Sequence, residues 1–172
     1  MTNQSPLTTI PTNTSMLQAS KFTFAFPNLP FAKYFCQNVS IPGVSTSAIS
    51  VATPFTTVYR HGTNLTFEDF SINCIIDEDM RVWEETYDWL KSFTRPSKYE
   101  EYIKNTAVDG SVYQDAILTI NTNANIPNVR IKFYNCHPTS LGTVRFNVSE
   151  TADTILTADI TFRYDYFEFE RI

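Results

Sequence analysis

At 172 residues the chain is about one domain long, and 42% hydrophobic and 15% aromatic content supports a real core without disulfides or metals and excludes wholesale disorder. Its 13 basic and 18 acidic residues give a net charge of −5 without clustered Lys and Arg, which excludes an electrostatic grip on nucleic acid. Charged residues make up 18%, below the ~25% usual for soluble domains, so part of the surface is expected to be covered by partners.

Residues Met1 to Ala19 are rich in Thr, Ser, Asn and Pro, a composition that packs poorly by itself. They read as an N-terminal arm, either loose or ordered against a neighbouring subunit, ahead of a single domain over residues 20–172. Lys21 is the first basic residue, so no secretory signal is expected, and no segment has the length and apolarity to span a bilayer.

Phe22, Phe24 and Phe26 alternate with Thr23 and Ala25, and β-rich composition resumes over Tyr34 to Ile41 after the Pro27 to Pro30 turn. These two runs are expected to pair as a hairpin. Val44 to Ala52 is small, β-branched and serine-rich without a strong inward face, and Phe55 to Tyr59 reads as another strand. From Leu65 the apolar positions alternate, slip in phase at Glu68-Asp69 and restart as Phe70, Ile72, Cys74 and Ile76, which predicts a strand with a bulge.

A helix is predicted over about residues 77–93, opened by Asp77 and the acidic Glu78 and Asp79 and stopped by Arg95-Pro96. Met80, Trp83, Tyr87 and Leu90 recur at helical spacing and are expected to pack on a sheet. Ser97 to Gly110 is polar and weakly periodic, and is expected to be loop with at most one turn of helix. Ala116, Leu118 and Ile120 define a strand; the Asn-rich Asn121 to Asn128 reads as a hairpin loop before a strand over Val129 to Asn135.

Cys136-His137-Pro138-Thr139 is expected to break that strand, with another at Thr143 to Val148 and a turn at Glu150 to Asp153. The last strand alternates cleanly. Leu156, Ala158, Ile160, Phe162, Tyr164 and Tyr166 face one way, and Thr157, Asp159, Thr161, Arg163 and Asp165 face the other. The whole is α+β and mostly β: a small antiparallel β-barrel or sandwich with one flanking helix and edge strands open to pairing.

No catalytic or cofactor site emerges. His61 and His137 lie in no recognisable motif, and His137 reads as a strand-end histidine bonded to backbone. The cluster Asp77, Glu78, Asp79, Glu84 and Glu85 is explained by helix capping rather than a metal. With Gly only 4 in the chain, no phosphate loop exists for a nucleotide. Cys36, Cys74 and Cys136 are an odd set without close spacing and read as small core hydrophobes.

The order of landmarks resembles the tail tube proteins of contractile-tailed bacteriophages. Cys36 leads to Ile41-Pro42-Gly43, followed by Pro54-Phe55, Gly62, Thr66-Phe67-Glu68-Asp69-Phe70, Asp77-Glu78, and Trp83 to Trp89. His137-Pro138-Thr139 with Gly142, and the closing Asp165-Tyr166-Phe167-Glu168, are similar to the family's later turn and acidic-aromatic end.

The resemblance implies a structural, non-enzymatic virion subunit without cofactors. Its copies would form hexameric rings that stack into the inner tail tube and conduct DNA during ejection, assembled in the host cytoplasm. Partners implied are further copies of the chain, a tail sheath protein, a baseplate or tube-initiator protein and a tail terminator protein, with transient passage of DNA and no membrane. A type VI secretion or bacteriocin tube subunit, a tube-initiating baseplate protein, and, from another class, a monomeric β-barrel ligand binder stay open.

On this reading Gly43 to Thr63 reaches the next ring, with Val44, Ser45, Ile49, Val51, Phe55 and Tyr59 as inter-ring contacts. The bore is expected to be neutral or acidic, lined by the polar face Thr157, Asp159, Thr161, Arg163 and Asp165, with Ser71 and Asn73 as further candidates.

Overall fold

The computed structural model describes residues 13–104, 112–149 and 154–172. The expected arm up to residue 12, the end of the expected loop at residues 105–110 and the turn at Glu150 to Asp153 lie outside them.

In chain order, β1 (Phe22–Ala25) leads to a short helix α1 (Ala32–Phe35), β2 (Cys36–Val39), β3 (Val44–Ala52), β4 (Thr57–Phe67) and β5 (Phe70–Ile75). Helices α2 (Arg81–Thr94) and α3 (Tyr99–Lys104) follow, then β6 (Gln114–Asn121), β7 (Pro127–Leu141), β8 (Thr157–Arg163) and β9 (Tyr166–Arg171). The strands form a seven-stranded antiparallel sheet in the order β1-β6-β7-β8-β5-β2, with β9 also on β7, and a separate two-stranded sheet of β3 and β4.

Strand β7 is the spine of the main sheet. Its first part pairs with β6 on one side and β9 on the other, and from His137 it pairs with β8. Asn135, at φ 56°, takes the left-handed conformation at the change of partner, and its backbone N–H is held by the Asp115 carboxylate at 3.2 Å. The expected strand break at Cys136 to Thr139 is therefore a kink within one continuous strand. Pro138 lies at a register shift, where its missing N–H disrupts the ladder least.

This kink folds the sheet on itself. Phe24 of β1 touches Phe70 of β5 at 6.2 Å between ring centroids, although β6, β7 and β8 separate the two strands along the sheet. The two halves thus face each other as a sandwich. Between them lie the fully buried Phe70, Phe133, Phe162, Ile72, Ile131 and Ile160, the inward positions of period-two strands. Among the described strands β1, β2 and β9 each have one neighbour, so these edges stay open.

Several pairings differ from the sequence reading. The runs around Phe22 and Cys36 do not form a hairpin, because α1 turns the chain between them and each finds a distant partner: β1 on β6 and β2 on β5. The slip at Glu68-Asp69 is not a bulge within one strand. It is the point where the chain leaves β4 in the small sheet and enters β5 in the main one. Thr143 to Val148 forms no strand, and the Asn-rich loop is tighter than expected, closed by the Thr122 N–H to Ile126 carbonyl bond at 2.8 Å.

Helix α2 begins at Arg81, one turn after Asp77, whose Oδ1 accepts the Arg81 backbone N–H at 2.9 Å. Its buried face is Val82, Thr86, Trp89 and Ser92 rather than Met80, Trp83, Tyr87 and Leu90. Met80 sits before the helix at φ 52°, Trp83 and Leu90 are half-buried on the flank, and Tyr87 is exposed and stacked on Trp83.

The buried face of α2 has a chemical cause. The Thr86 and Ser92 hydroxyls donate to the Val82 and Trp89 carbonyls at 2.8 and 2.7 Å, so these polar residues enter the core with their hydrogen bonds made. Trp89 packs on Phe26 and Phe162 and donates its indole N–H to the Val112 carbonyl at 3.1 Å. The helix does flank the sheet, but on the side that carries Trp89. No described helix is long and apolar enough to cross a membrane.

Trp89→Ala is expected to cost ~3–5 kcal/mol as a core truncation, and Trp83→Ala clearly less, because Trp83 is part-exposed. Chemical denaturation of both variants checks this; equal losses would restore the Trp83 side as the packed face.

Candidate assembly surface

The β3–β4 hairpin stands apart from the sandwich as a two-stranded sheet of its own. Its register runs from Val44 opposite Phe67 at the base to Ala52 opposite Thr57 near the tip, with an irregularity between Thr46 and Ala48. Gly62 sits at that irregularity. A Cβ there would lie 2.2 Å from the Ser47 carbonyl oxygen, a backbone atom that cannot yield, so only glycine fits.

Every residue of β3 is exposed, and so is β4 apart from the half-buried Gly62 and Phe67. Val51 lies directly opposite Val58 with Ile49 two residues along, and Tyr59 pairs with Ser50 on the other face, so apolar side chains occupy both faces. At the tip Phe55 is 99% exposed, a full aromatic ring in water. Between Val44 and Phe67 the only formal charge is Arg60. A chain segment with exposed apolar surface and almost no charge has the composition of an interface core.

The hairpin is anchored at its root. The Glu68 N–H donates to the Gly43 carbonyl at 3.0 Å, closing the base of the ladder. The Tyr164 hydroxyl donates to the Glu68 carbonyl at 2.9 Å, and Asp69 pairs with Arg163 of β8. Phe67 packs on Tyr164 and Phe167, which joins the last hairpin residue to the core.

Of the residues expected to contact a next ring, Val44, Ser45, Ile49 and Val51 lie on β3, Phe55 at the tip and Tyr59 on β4, all exposed on the one hairpin. Val58 and Leu65 join them as exposed apolar residues that the sequence reading passed over. Leu65 in particular reads as inward from alternation alone. The available signal was the missing inward face of Val44 to Ala52, its partner strand.

The expected polar face is assembled by the β8–β5 ladder. Asp159 is opposite Asn73 and Thr161 opposite Ser71, and the Asn73 amide donates to Asp159 Oδ1 at 2.7 Å. Ser40, just past β2, extends the face through its hydroxyl contact with Ser71 at 3.4 Å. Thr157 and Arg163 stand at the two ends of β8. Asp165 is set apart at the corner between β8 and β9, where the Asn135 amide donates to its carboxylate at 2.6 Å.

Other candidate groups resolve into structure. His137 is not bonded to backbone through Nδ1, which is buried and has no partner; the ring lies against Phe93 and Tyr113. Asp79 pairs with Arg81 beside the α2 start. Among the described residues no group of His, Cys, Asp and Glu is placed to hold a metal ion.

Against this geometry, the profile of the family described as phage tail tube protein matches residues 9–170. The chain belongs to the phage tail tube protein family. It is 26% identical over 138 residues to the tail tube terminator protein of Enterobacteria phage T4, covering 78% of this chain and 76% of that protein.

Its fold is similar to that of a chain in the baseplate of the anti-feeding prophage, with a TM-score of 0.65, 10% identity and coverage of 92% of this chain and 97% of the other. A chain of the anti-feeding prophage tube-terminating cap gives 0.62 at 12% identity, covering 98% and 100%. A chain of an extracellular contractile injection system sheath-tube complex gives 0.58 at 13% identity, covering 91% and 93%.

Burial pushes the Tyr164 phenol from its ordinary 10.0 up to about 12. A raised phenol pKa means the folded state favours the neutral form, so this contribution is full below pH 10 and is lost as pH rises through 12. Tyr164→Phe is expected to lose ~1 kcal/mol at neutral pH with the Glu68 bond and to show a shallower decline across that alkaline window. Urea unfolding of both proteins at a series of pH values checks it; parallel curves would place Tyr164 outside the titrating set.

Proposed function

We propose that the chain is a ring-forming subunit of the inner tube of a contractile tail, most simply six copies per ring, stacking through the β3–β4 hairpin. The observation that carries this reading is that hairpin: apolar on both faces, nearly uncharged and firmly rooted. Family membership supports the tube, and the open edges β1, β2 and β9 offer pairing for ring closure. On this reading the chain is a structural component of the virion tail, with a sheath around it and initiator and terminator proteins at the tube ends.

A second reading is a terminator ring that ends the tube rather than repeating along it, favoured by the likeness to the T4 tail tube terminator protein. Negative-stain microscopy of the purified chain separates the two. Long tubes assign it to the tube body; discrete rings that add only to the ends of preformed tubes assign it to the terminator. A monomer at all concentrations, even with tube protein present, overturns both.

The stacking role has its own test. Joining Ala48 to His61, opposed in the ladder, through an Asn-Gly turn removes the outer hairpin and keeps the root. The shortened chain is expected to fold with the cooperativity of the parent and to fail to stack. Normal stacking would move the inter-ring contact elsewhere.

The β8–β5 polar face is proposed to line the bore. Arg163 is matched by Asp69, and Asp159 leaves the face slightly acidic, so it has little to hold passing phosphates. Asp159→Lys with Thr161→Lys is expected to leave tails assembled while slowing DNA ejection; ejection at the parental rate would show that this face does not meet DNA.

A further inference from the structure

The cysteines of β2 and β5 stand directly opposite each other: Cys36 is the register partner of Cys74. Opposed residues of an antiparallel pair have Cα atoms ~4.5–5.5 Å apart, inside the ~4.4–6.8 Å window that a disulfide spans. Their side chains lie on the same side of the ladder. Cys74 is buried in line with Phe70 and Ile72, and Cys36 packs against that core while staying half-exposed. Both thiols are free.

The position of the pair gives it a consequence. The loop between Cys36 and Cys74 contains the whole β3–β4 hairpin, and β2 is a four-residue edge strand held by β5 alone. A bond between these sulfurs would close the loop at its foot and pin the edge strand.

We propose that Cys36 and Cys74 form a thiol–disulfide site that is oxidised by exchange with a small-molecule disulfide of the glutathione type. The Cys36 thiolate attacks one sulfur of the oxidised glutathione, the glutathione S–S bond breaks, and one glutathione leaves with the proton that Cys36 lost. Cys74 then gives up its proton and attacks Cys36 of the mixed disulfide, and the second glutathione leaves and takes that proton. Two protein thiols become one disulfide, and one glutathione disulfide becomes two glutathiones.

The order of attack follows from the surroundings. Cys36 is accessible, and the hydrogen bond from the Cys74 thiol lowers its pKa, while that same bond and burial hold the Cys74 thiol up. Cys136 is the internal control. It is fully buried in β7 opposite Gln114, with burial pushing its thiol up to about 12. The site does not depend on the tube reading.

The full chain is to be incubated with oxidised glutathione and digested without reduction for mass spectrometry. The expected product links the Cys36 and Cys74 peptides, with Cys136 recovered as a free thiol and slower hydrogen exchange across residues 37–73. Cys74→Ser is expected to stop at a glutathione adduct on Cys36. Cys74→Ala, which puts no hydroxyl in the core, gives the same readout if the serine variant does not fold. A stable Cys36 adduct in the parent chain, dimers linked through Cys36, or thiols that stay unmodified would each overturn the proposal.

Discussion

The structure depends on how one aromatic ring is surrounded. Phe70 stacks on Phe133 at 4.7 Å and on Phe162 at 5.1 Å, and meets Phe24 edge-on and Tyr164 at a tilt. These partners come from β7, β8, the corner after β8, and β1, so a single side chain of β5 ties both halves of the folded sheet. Each such aromatic pair is worth ~0.5–1.5 kcal/mol beyond its area burial; Phe162 is the ladder partner of Phe70, whereas the contact with Phe24 crosses between the halves and needs the bend in β7 at Asn135. Bend and cluster are therefore one constraint, the first bringing the halves together and the second holding them.

The same cluster reaches the hairpin without a break. Tyr164 packs on Phe70 and Phe133, and its hydroxyl holds the Glu68 carbonyl two residues before Phe70. Arg163, its neighbour on β8, holds Asp69. The residues that read in sequence as a strand bulge are thus a junction, where the chain crosses from a sheet with no core of its own into the sheet that owns the core. Its orientation is set by the end of β8 and the corner after it, far away in sequence.

What was legible in sequence was whatever depends on local periodicity. The alternation from Ala158 to Tyr164 became β8 and its corner with the expected faces, and Phe70, Ile72 and Cys74 point inward as spaced. The helix was found but its face was not, because hydropathy scores Thr86 and Ser92 as polar while their hydroxyls are satisfied within the helix. Partner choice was the other loss. Nothing local tells Phe22 to pair with Ile120 or Cys36 with Cys74, and nothing in the alternation marks the bend in β7, where Asn135 takes the left-handed conformation. The candidate surface followed the same division: the weakly faced segment Val44 to Ala52 was recognisable by its lack of an inward side, whereas its root was invisible.

That root bears on assembly as directly as on folding. A two-stranded hairpin is marginal by itself in water, and this one has no third strand or covering helix among the described residues. Were it ordered only on docking, each fixed residue would charge the interface ~1–2 kcal/mol of backbone entropy, enough to consume the gain from its apolar contacts. The Gly43–Glu68 ladder end, the Tyr164 and Arg163 anchors and the glycine at position 62 fix its register and exit direction beforehand. Under the ring reading, the exposed valines, Ile49 and Phe55 then meet their partner at little ordering cost. The subunit can keep that surface in water because the free energy that orders it comes from the Phe70 cluster, on the far side of the root.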